Sequence, residues 1–188
     1  SARHSIGQML PDVVLGCLDQ VVANVTPAEG ASCIWNPVFL SSLANSSANL
    51  NEDAFVINPI FNGGTGARAD KDGLSTTAFP SGVRTTSTEV NEATSPLVVW
   101  AKEFATNSGG VGARRGGLGQ TVIVEHRAGH EFIVSKMFDR IDHPARGRHG
   151  GGDGQSGRVF ITNGVEELDL PGKGRDRIPS GYKLIMHT

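Results

Sequence analysis

Two dense clusters of glycine constrain the fold of this chain more than any other feature of its sequence. The first lies in NSGGVGARRGGLGQ, residues 107–120, and the second lies in residues 147–157; each holds six of the chain's 25 glycines. Ordinary apolar stretches separate the clusters, a pattern that low-complexity disorder does not show. We therefore expect a folded domain in which glycine-rich loops join strands.

The first cluster does not have the form of a phosphate-binding loop. A P-loop requires G-x-x-x-x-G-K-[ST], and GARRGGLG has neither the lysine nor the following hydroxyl. A dinucleotide fingerprint requires a helix after the glycines, whereas QTVIVEH has the β-branched residues of a strand. We predict that residues 109–119 connect two strands and that the isolated chain does not hydrolyse ATP. Arg114 and Arg115 either face solvent or bind an anion.

One helix is predicted near the N-terminus, within residues 1–30. Apolar residues recur at helical spacing from Ile6 to Val22, with polar residues between them. Because Pro11 lies inside this pattern, the helix either begins there or kinks there. Cys17 falls on the apolar face, so we expect its thiol to be buried in the core.

Residues 31–188 are predicted to be mainly β-structure with long loops. The segments predicted as strands are AFVINPIF (54–61), PLVVWAKEF (96–104), GRVFITNG (157–164, ending in an Asn-Gly turn) and GYKLIMHT (181–188). TVIVEHRAGHEFIVSKMF (121–138) predicts a β-hairpin with Gly129 in its turn. The signal is poor over 31–51, and SSLANSSANLN (41–51) and NGGTGARADKDG (62–73) are predicted as loops. These elements predict a single α+β, β-rich domain, with one N-terminal helix followed by antiparallel strands.

Charge, hydropathy and cysteine content argue against several classes of protein. The formal net charge of −2 gives no overall attraction to nucleic acid or to anionic membranes. No stretch approaches the roughly 20 consecutive apolar residues that span a bilayer. Two cysteines are too few for a disulfide scaffold or a four-cysteine zinc site. We expect a cytoplasmic protein.

The histidines are weak candidates for a metal site. His126 and His130 flank the predicted turn, so both rings are expected to face solvent, and a zinc site needs at least three protein ligands. His143 and His149 lie in a Pro/Gly-rich loop that is equally unpromising. We expect this chain to hold no metal.

A charged loop is a further candidate for a functional site. ARADKDG places Arg68, Asp70, Lys71 and Asp72 close together between predicted strands. The loop is either a solvated surface loop or one that binds ligand or performs catalysis, because loops on a rigid frame often carry function. The G-x-S-x-G motif of a covalent nucleophile does not occur in the sequence.

Taken in order, these motifs resemble a known family. FNGGTGARADKDGLSTTAFPSGVRTTSTEVNEATSPLVV, SGGVGARRGGLGQ and FDR…HP…GRHGGGDGQSGRVFITNG…LPGKG follow one another as in the C-terminal part of the hydantoinase B/5-oxoprolinase family. PDVVLGCLDQVV resembles the segment that precedes these motifs. The family includes N-methylhydantoinases, lactamases and 5-oxoprolinase, with relatives among acetone and acetophenone carboxylases.

The resemblance implies part of an ATP-dependent hydrolase of cyclic amides. In that family an A-type subunit or domain uses ATP and magnesium to phosphorylate a carbonyl or enol oxygen, and the B side hydrolyses or carboxylates the activated species. This chain would bind no cofactor itself. Its partners would be the A-type subunit, the rest of the B subunit and a small cyclic amide, in a hetero-oligomer without nucleic acid or membrane. The alternatives are a component of a ketone carboxylase and a non-catalytic docking scaffold.

The chain also departs from the family pattern. Family B subunits are much longer, and their N-terminal portion, where the ligands of a divalent metal are expected, has no counterpart here. We expect a fragment or one piece of a split subunit, inactive when isolated. The family usually has Gly-Arg-aromatic-Arg-Gly-Gly where this chain has GARRGG (112–117), so only Arg115 matches the second arginine.

The motif matches imply three sets of site residues. The catalytic candidates are Asp72, to orient a water or accept a proton, Arg68, to stabilise an oxyanion or phosphate, and Glu89. The candidates for the substrate loop are Gly63, Gly64, Gly66, Gly73 and Arg84. The candidates in the connector are Gly109, Gly110, Gly112, Arg115, Gly116, Gly117 and Gly119. The glycines are better suited to shape the backbone than to perform chemistry.

Overall fold

A computed structural model describes residues 2–22, 24–42 and 54–188. Within these ranges the helices are α1 (Ala2–Leu18) and α2 (Thr88–Thr94). The strands are β1 (Ile34–Trp35), β2 (Val38–Ser41), β3 (Val56–Ile57), β4 (Phe61–Asn62), β5 (Leu97–Phe104), β6 (Gln120–His126), β7 (Phe132–Met137), β8 (Arg158–Thr162), β9 (Glu167–Asp169), β10 (Lys173–Ile178) and β11 (Lys183–His187). The predicted α+β, β-rich class is confirmed.

Antiparallel pairing joins the described strands into three sheets. A five-stranded sheet has the order β5-β6-β11-β8-β9, a four-stranded sheet has the order β10-β7-β2-β3, and β1 pairs with β4. Each of these strand pairs is antiparallel. The prediction that antiparallel strands follow the N-terminal helix is therefore confirmed.

One apolar core includes residues of both larger sheets. Burial alternates along β6, which places one face of that strand inward. Val122 and Val124 of β6 belong to the same buried cluster as Phe132 of β7. The rings of Trp35 and Phe138 stack in it with their centroids 4.2 Å apart. This core gives the loops between the strands a rigid frame.

The predicted hairpin at 121–138 is wrong. β6 pairs with β5 and β11 in the five-stranded sheet, whereas β7 pairs with β10 and β2 in the four-stranded sheet. The turn carries the chain from one sheet to the other, and its Gly129 does take a positive φ of 70°. Both strands are central in their sheets, so both edges of each strand form hydrogen bonds with strands other than the one across the turn.

Helix α1 confirms the predicted helix but reverses its expected orientation. The helix continues through Pro11 and ends at Leu18. Many of its apolar side chains face solvent: Val13 is 62% exposed, for example, whereas Met9 and Leu15 are half-buried. The buried side chains of the helix include the polar Gln8 and Asp12.

The orientation of α1 explains the exposure of one of the two thiols. Cys17 lies on the outward face and is exposed, so the prediction of a buried thiol there is wrong. Cys33 is buried, and burial raises the pKa of its thiol to about 12. The physical reason for the reversal is an ion pair between Asp12 and Arg140, which holds the polar side of α1 against the domain.

Several short elements of the structure are not predicted from the sequence. Helix α2 begins after Ser87, whose side chain caps it by accepting from the amide of Val90. Strands β1 and β2 lie where the sequence signal is poor, and AFVINPIF forms two short strands, β3 and β4, on either side of Pro59. Strands β9 and β10 are too polar to have been recognised. Most of SSLANSSANLN lies outside the described residues.

The prediction for the glycine-rich connector is confirmed. Residues 109–119 lie between β5 and β6, which are antiparallel neighbours, and no helix begins there. Of the helices that the structure describes, none is long and apolar enough to cross a membrane.

Candidate functional site

Glycine-rich loops converge on one cleft of about 310 Å³. Its lining comes mainly from residues 64–69, the connector at 108–119 and the loop at 145–157. Several residues of the segment 24–31 complete the lining. The fold thus brings both glycine clusters and the loop that begins at Gly63 to one place.

Glycine lets these loops pack backbone against backbone. A Cβ atom at Gly64 would overlap the carbonyl oxygen of Gly117, and one at Gly119 would overlap that of Thr188. The amide of Gly117 donates to the carbonyl of Thr65 over 2.9 Å. No other residue fits such close approaches without displacing the opposite chain, so these glycines shape the wall of the cleft.

Arg68 and Asp72 bind the first loop to the connector. The Arg68 guanidinium donates to the backbone carbonyl of Asp72 from Nε at 3.1 Å and from Nη2 at 2.7 Å. The Asp72 carboxylate accepts from the backbone amide of Arg115 at 2.8 Å. Arg68 lines the cleft, whereas Asp72 lies outside its described lining. The catalytic role of Asp72 stays a prediction, and the structure adds a bracing role.

The other candidates divide between the cleft and its surroundings. The predicted residues that line it besides Arg68 are Gly64, Gly109, Gly110, Gly112, Gly116, Gly117 and Gly119. Those outside the described lining are Gly63, Gly66, Gly73, Arg84, Glu89 and Arg115. Glu89 lies in the first turn of α2, near Lys102: burial lowers the pKa of that lysine and the charge of Glu89 partly opposes this.

A buried carboxylate that sequence reasoning missed organises one side of the cleft. Glu29 accepts from Arg140 Nη1 at 3.2 Å and from Arg146 Nη2 at 2.5 Å. It also accepts from the backbone amide of Arg146 at 3.1 Å. Arg140 in turn contacts Asp12 of helix α1 at 2.8 Å. Glu29 therefore positions two arginines of the lining.

The pKa values of Glu29 and Asp12 shift in opposite directions. Burial alone would raise the pKa of Glu29, but hydrogen bonds from Arg146 and the charge of Arg140 outweigh it and lower that pKa. At Asp12 burial prevails and raises the pKa, although Arg140 opposes it. Glu29 is thus the stronger anionic anchor for the arginines.

Arg148 also connects helix α1 to the cleft, through neutral oxygen atoms. Its guanidinium donates to the carbonyl of Leu15 at 3.3 Å, to the hydroxyl of Thr26 at 3.1 Å and to the carbonyl of Asp12 at 3.4 Å. These acceptors hold the side chain in place without neutralising its charge.

The cleft carries an excess of positive charge. The arginines among its described lining residues are Arg68, Arg114, Arg140, Arg146 and Arg148. The carboxylate among them is Glu29. Such a lining, in a wall of exposed backbone, complements an anion, and guanidinium groups suit phosphate oxygens in particular.

The histidines do not assemble a metal site in the part of the chain that the structure describes. There, no group of three or more His, Cys, Asp or Glu side chains is placed to hold an ion. His126 is buried and stacks on His130 at 5.0 Å, so the expectation that both rings face solvent is wrong for His126. His149 contacts Asp19 at 3.0 Å.

The whole sequence was compared with models of known protein families. The model of the hydantoinase B/oxoprolinase family matches residues 1–188. The chain belongs to the hydantoinase B/oxoprolinase family. The predicted family membership is thereby confirmed, while comparison with curated protein sequences finds no match.

Two solved structures share the fold of this hydantoinase B chain. The ATP-dependent caprolactamase from Pseudomonas jessenii is 14% identical, with a TM-score of 0.69 over 90% of this chain and 30% of its own. Nucleotide-free acetone carboxylase, from work on ATP-dependent acetone carboxylation, is 18% identical, with a TM-score of 0.59 over 86% of this chain and 25% of its own. The chain therefore spans less than a third of either solved chain.

Sequence reasoning missed the arginines at 140, 146 and 148 as site residues of this hydantoinase B chain. The signal available was their density in FDRIDHPARGRHGGGD, which forms part of the family motif. Their partners, Asp12 and Glu29, are more than one hundred residues away in the sequence. Only the fold brings the two groups together.

Proposed function

We propose that this chain is part of an ATP-dependent cyclic amide hydrolase that acts with an A-type ATP-binding partner. The partner transfers a phosphoryl group from ATP to the amide oxygen, and the glycine-rich cleft binds the resulting anion. Membership of the hydantoinase B family and a fold shared with an ATP-dependent caprolactamase support the reaction class. The observation that carries the proposal is the excess of arginine in the cleft.

The chemistry explains why a cationic cleft is useful. An amide carbon is a poor electrophile until its oxygen is phosphorylated. Water then adds to that carbon, and the ring C–N bond breaks as the nitrogen takes a proton, leaving an acyl phosphate. A second water releases phosphate and the carboxylate. Each of these species carries the negative charge of the phosphoryl group, which charge-assisted hydrogen bonds from arginine stabilise.

Arg68 and Arg114 are the residues that we assign to anion binding. Both are exposed, both line the cleft, and they come from the two loops that the backbone bonds described above hold together. Arg140 and Arg146 also line the cleft, where the Glu29 carboxylate holds both guanidinium groups. The catalytic assignments of Asp72 and Glu89 stay predictions within this proposal.

The test is substrate-dependent turnover by the assembled enzyme, with its ATP-binding partner and the rest of the B subunit. Arg114→Ala removes a cation from the lining, and Arg175→Ala, on exposed β10, is the matched control. We expect a turnover loss of about 10- to 100-fold for Arg114→Ala and none for the control, because a hydrogen bond to a charged group contributes about 1.5–3 kcal/mol. Equal turnover in both variants would remove the support for an anion site.

The same assay separates hydrolysis from carboxylation. A hydrolase consumes ATP with a cyclic amide in the absence of bicarbonate and releases a ring-opened product. ATP consumption that requires a ketone and bicarbonate would instead assign the chain to a carboxylase.

A further inference from the structure

Helix α1 presents a continuous apolar surface to solvent. We name it the α1 stripe; the exposed apolar side chains that form it are Ile6, Leu10, Val13, Val14 and Leu18. Val21, Val22 and Val25, which follow the helix in the sequence, are exposed as well. Large contiguous apolar surfaces are rare on isolated soluble domains and mark sites of association.

The stripe cannot turn inward to bury itself. Asp12, on the opposite side of the helix, pairs with Arg140 at 2.8 Å. The Leu15 carbonyl accepts from Arg148, and Gln8 on the same side is buried. Rotating α1 would break these contacts and leave the Arg140 guanidinium with one carboxylate fewer, so the fold fixes the stripe outward.

We propose that the α1 stripe docks against an apolar helical surface of the remainder of a B-type subunit, carried on the same polypeptide or on a separate one. The solved relatives supply the argument for this occupant, because the chain spans only 30% and 25% of their lengths. Most of such a subunit therefore lies outside these residues and needs a contact surface on them.

The chemistry of the stripe specifies the occupant further. Its side chains carry no charge, and Cys17, which is one turn from Val13 and Val14 on the same helix, is exposed as well. An apolar helical surface matches the stripe, whereas a charged surface would lose its hydration without compensation. Removal of leucine and valine side chains from water supplies the affinity.

The test measures binding between this chain and the remainder of the B subunit, produced together and purified as a complex. Leu10→Asp/Val13→Asp places two charges in the stripe at side chains that are 56% and 62% exposed. Val165→Asp is the matched control, because Val165 is 93% exposed and lies on the β8–β9 turn. Circular dichroism and thermal melting of the chain verify that each variant folds.

We expect wild-type chain and Val165→Asp to bind with equal affinity and the double variant to bind at least about 100-fold more weakly. Cys17 gives a second readout that needs no substitution: 5,5′-dithiobis(2-nitrobenzoic acid) should modify it in the chain alone and not in the complex. Cys33, buried and with its pKa raised to about 12, is the internal control and should stay unmodified in both.

Three results would overturn the proposal. One is a folded double variant that binds within threefold of wild type. Another is a Cys17 that reacts equally fast with and without the remainder of the subunit. The third is a wild-type chain that is dimeric alone by light scattering and becomes monomeric in the double variant, which would assign the stripe to a second copy. All three are independent of turnover, so they do not test the proposed hydrolase function.

Discussion

Replacement of Glu29 tests whether this buried carboxylate organises the arginine side of the cleft. Glu29→Gln keeps the size and one acceptor oxygen but removes the charge that pairs with Arg140 and Arg146. The Arg146 contribution is small because its side chain is 76% exposed and screened by solvent. The Arg140 pair is largely buried, so we expect a loss of about 2 kcal/mol in the free energy of unfolding.

The assay is differential scanning calorimetry at pH 7. For a chain of this size, a loss of about 2 kcal/mol lowers the melting temperature by about 4–8 °C. Glu103→Gln, at an exposed position on β5, is the matched control and should melt with the wild type. A melting temperature for Glu29→Gln within 1 °C of the wild type, on the order of experimental scatter, would refute the reasoning.

The pH dependence gives an independent check of the same residue. Burial favours a higher pKa for Glu29, but bonds from Arg146 and the charge of Arg140 lower it below the ordinary value of 4.5. The Glu29 carboxylate therefore binds a proton more tightly in the unfolded chain than in the folded chain. The stabilisation is fully present above the ordinary glutamate pKa and is lost as pH falls through the lowered folded value. The difference between wild type and Glu29→Gln should narrow below about pH 4, and a constant difference would contradict the ion pair.

Two further predictions concern the loops. Gly64→Ala should lower the free energy of unfolding by about 3 kcal/mol or more, because its methyl group would overlap the Gly117 carbonyl. Gly7→Ala should raise it by about 0.5–1 kcal/mol, because Gly7 lies in helix α1 and, apart from the adjacent helix backbone, no atom lies within 4 Å of the new Cβ. Urea denaturation measures both, and equal effects would contradict the close packing of the cleft wall. Asp72→Ala and Asp72→Asn should each lower turnover of the assembled enzyme about 100-fold if the carboxylate moves a proton. Near-normal turnover in Asp72→Asn alone would show that its oxygen only braces the Arg115 amide.

Local sequence patterns predicted which segments are helical or extended, but not which surfaces they bury. The spacing from Ile6 to Val22 predicted helix α1, yet it did not reveal that the polar side faces the domain. That orientation depends on Arg140, which is 128 residues from Asp12 in the sequence. Hydrophobic periodicity assumes that the apolar side of a helix is covered within the same domain, and here it is not.

The prediction that β6 and β7 pair with each other was wrong for a related reason. β6 and β7 are close in sequence and both apolar, which favours a hairpin. Each is a central strand with two neighbours from elsewhere in the chain, so long-range pairing decides the topology. The polar β9 and β10 cover edges of the sheets and carry little apolar signal.

The candidate site was only partly visible in the sequence. Glycine density identified the connector and the loop around Gly64, because backbone that packs this closely requires glycine locally. Glu29 gave no local signal, and the density of arginine around Arg146 and Arg148 did not reveal their partners, because those contacts join residues more than one hundred positions apart. The motif resemblance supplied the family, whereas the charge of the cleft emerged only from the fold.

Anion binding to the cleft tests the central claim most directly. Inorganic phosphate and acetyl phosphate are titrated into the isotope-labelled chain, and ¹H–¹⁵N spectra record the amides of residues 109–119 and 147–157. We predict saturable shifts of these amides with both anions, weakened at least about tenfold in Arg114→Ala and unchanged in Arg175→Ala. Shifts that do not saturate, that fall outside the cleft, or that persist unchanged in Arg114→Ala would contradict the assignment of this cleft to a phosphorylated substrate.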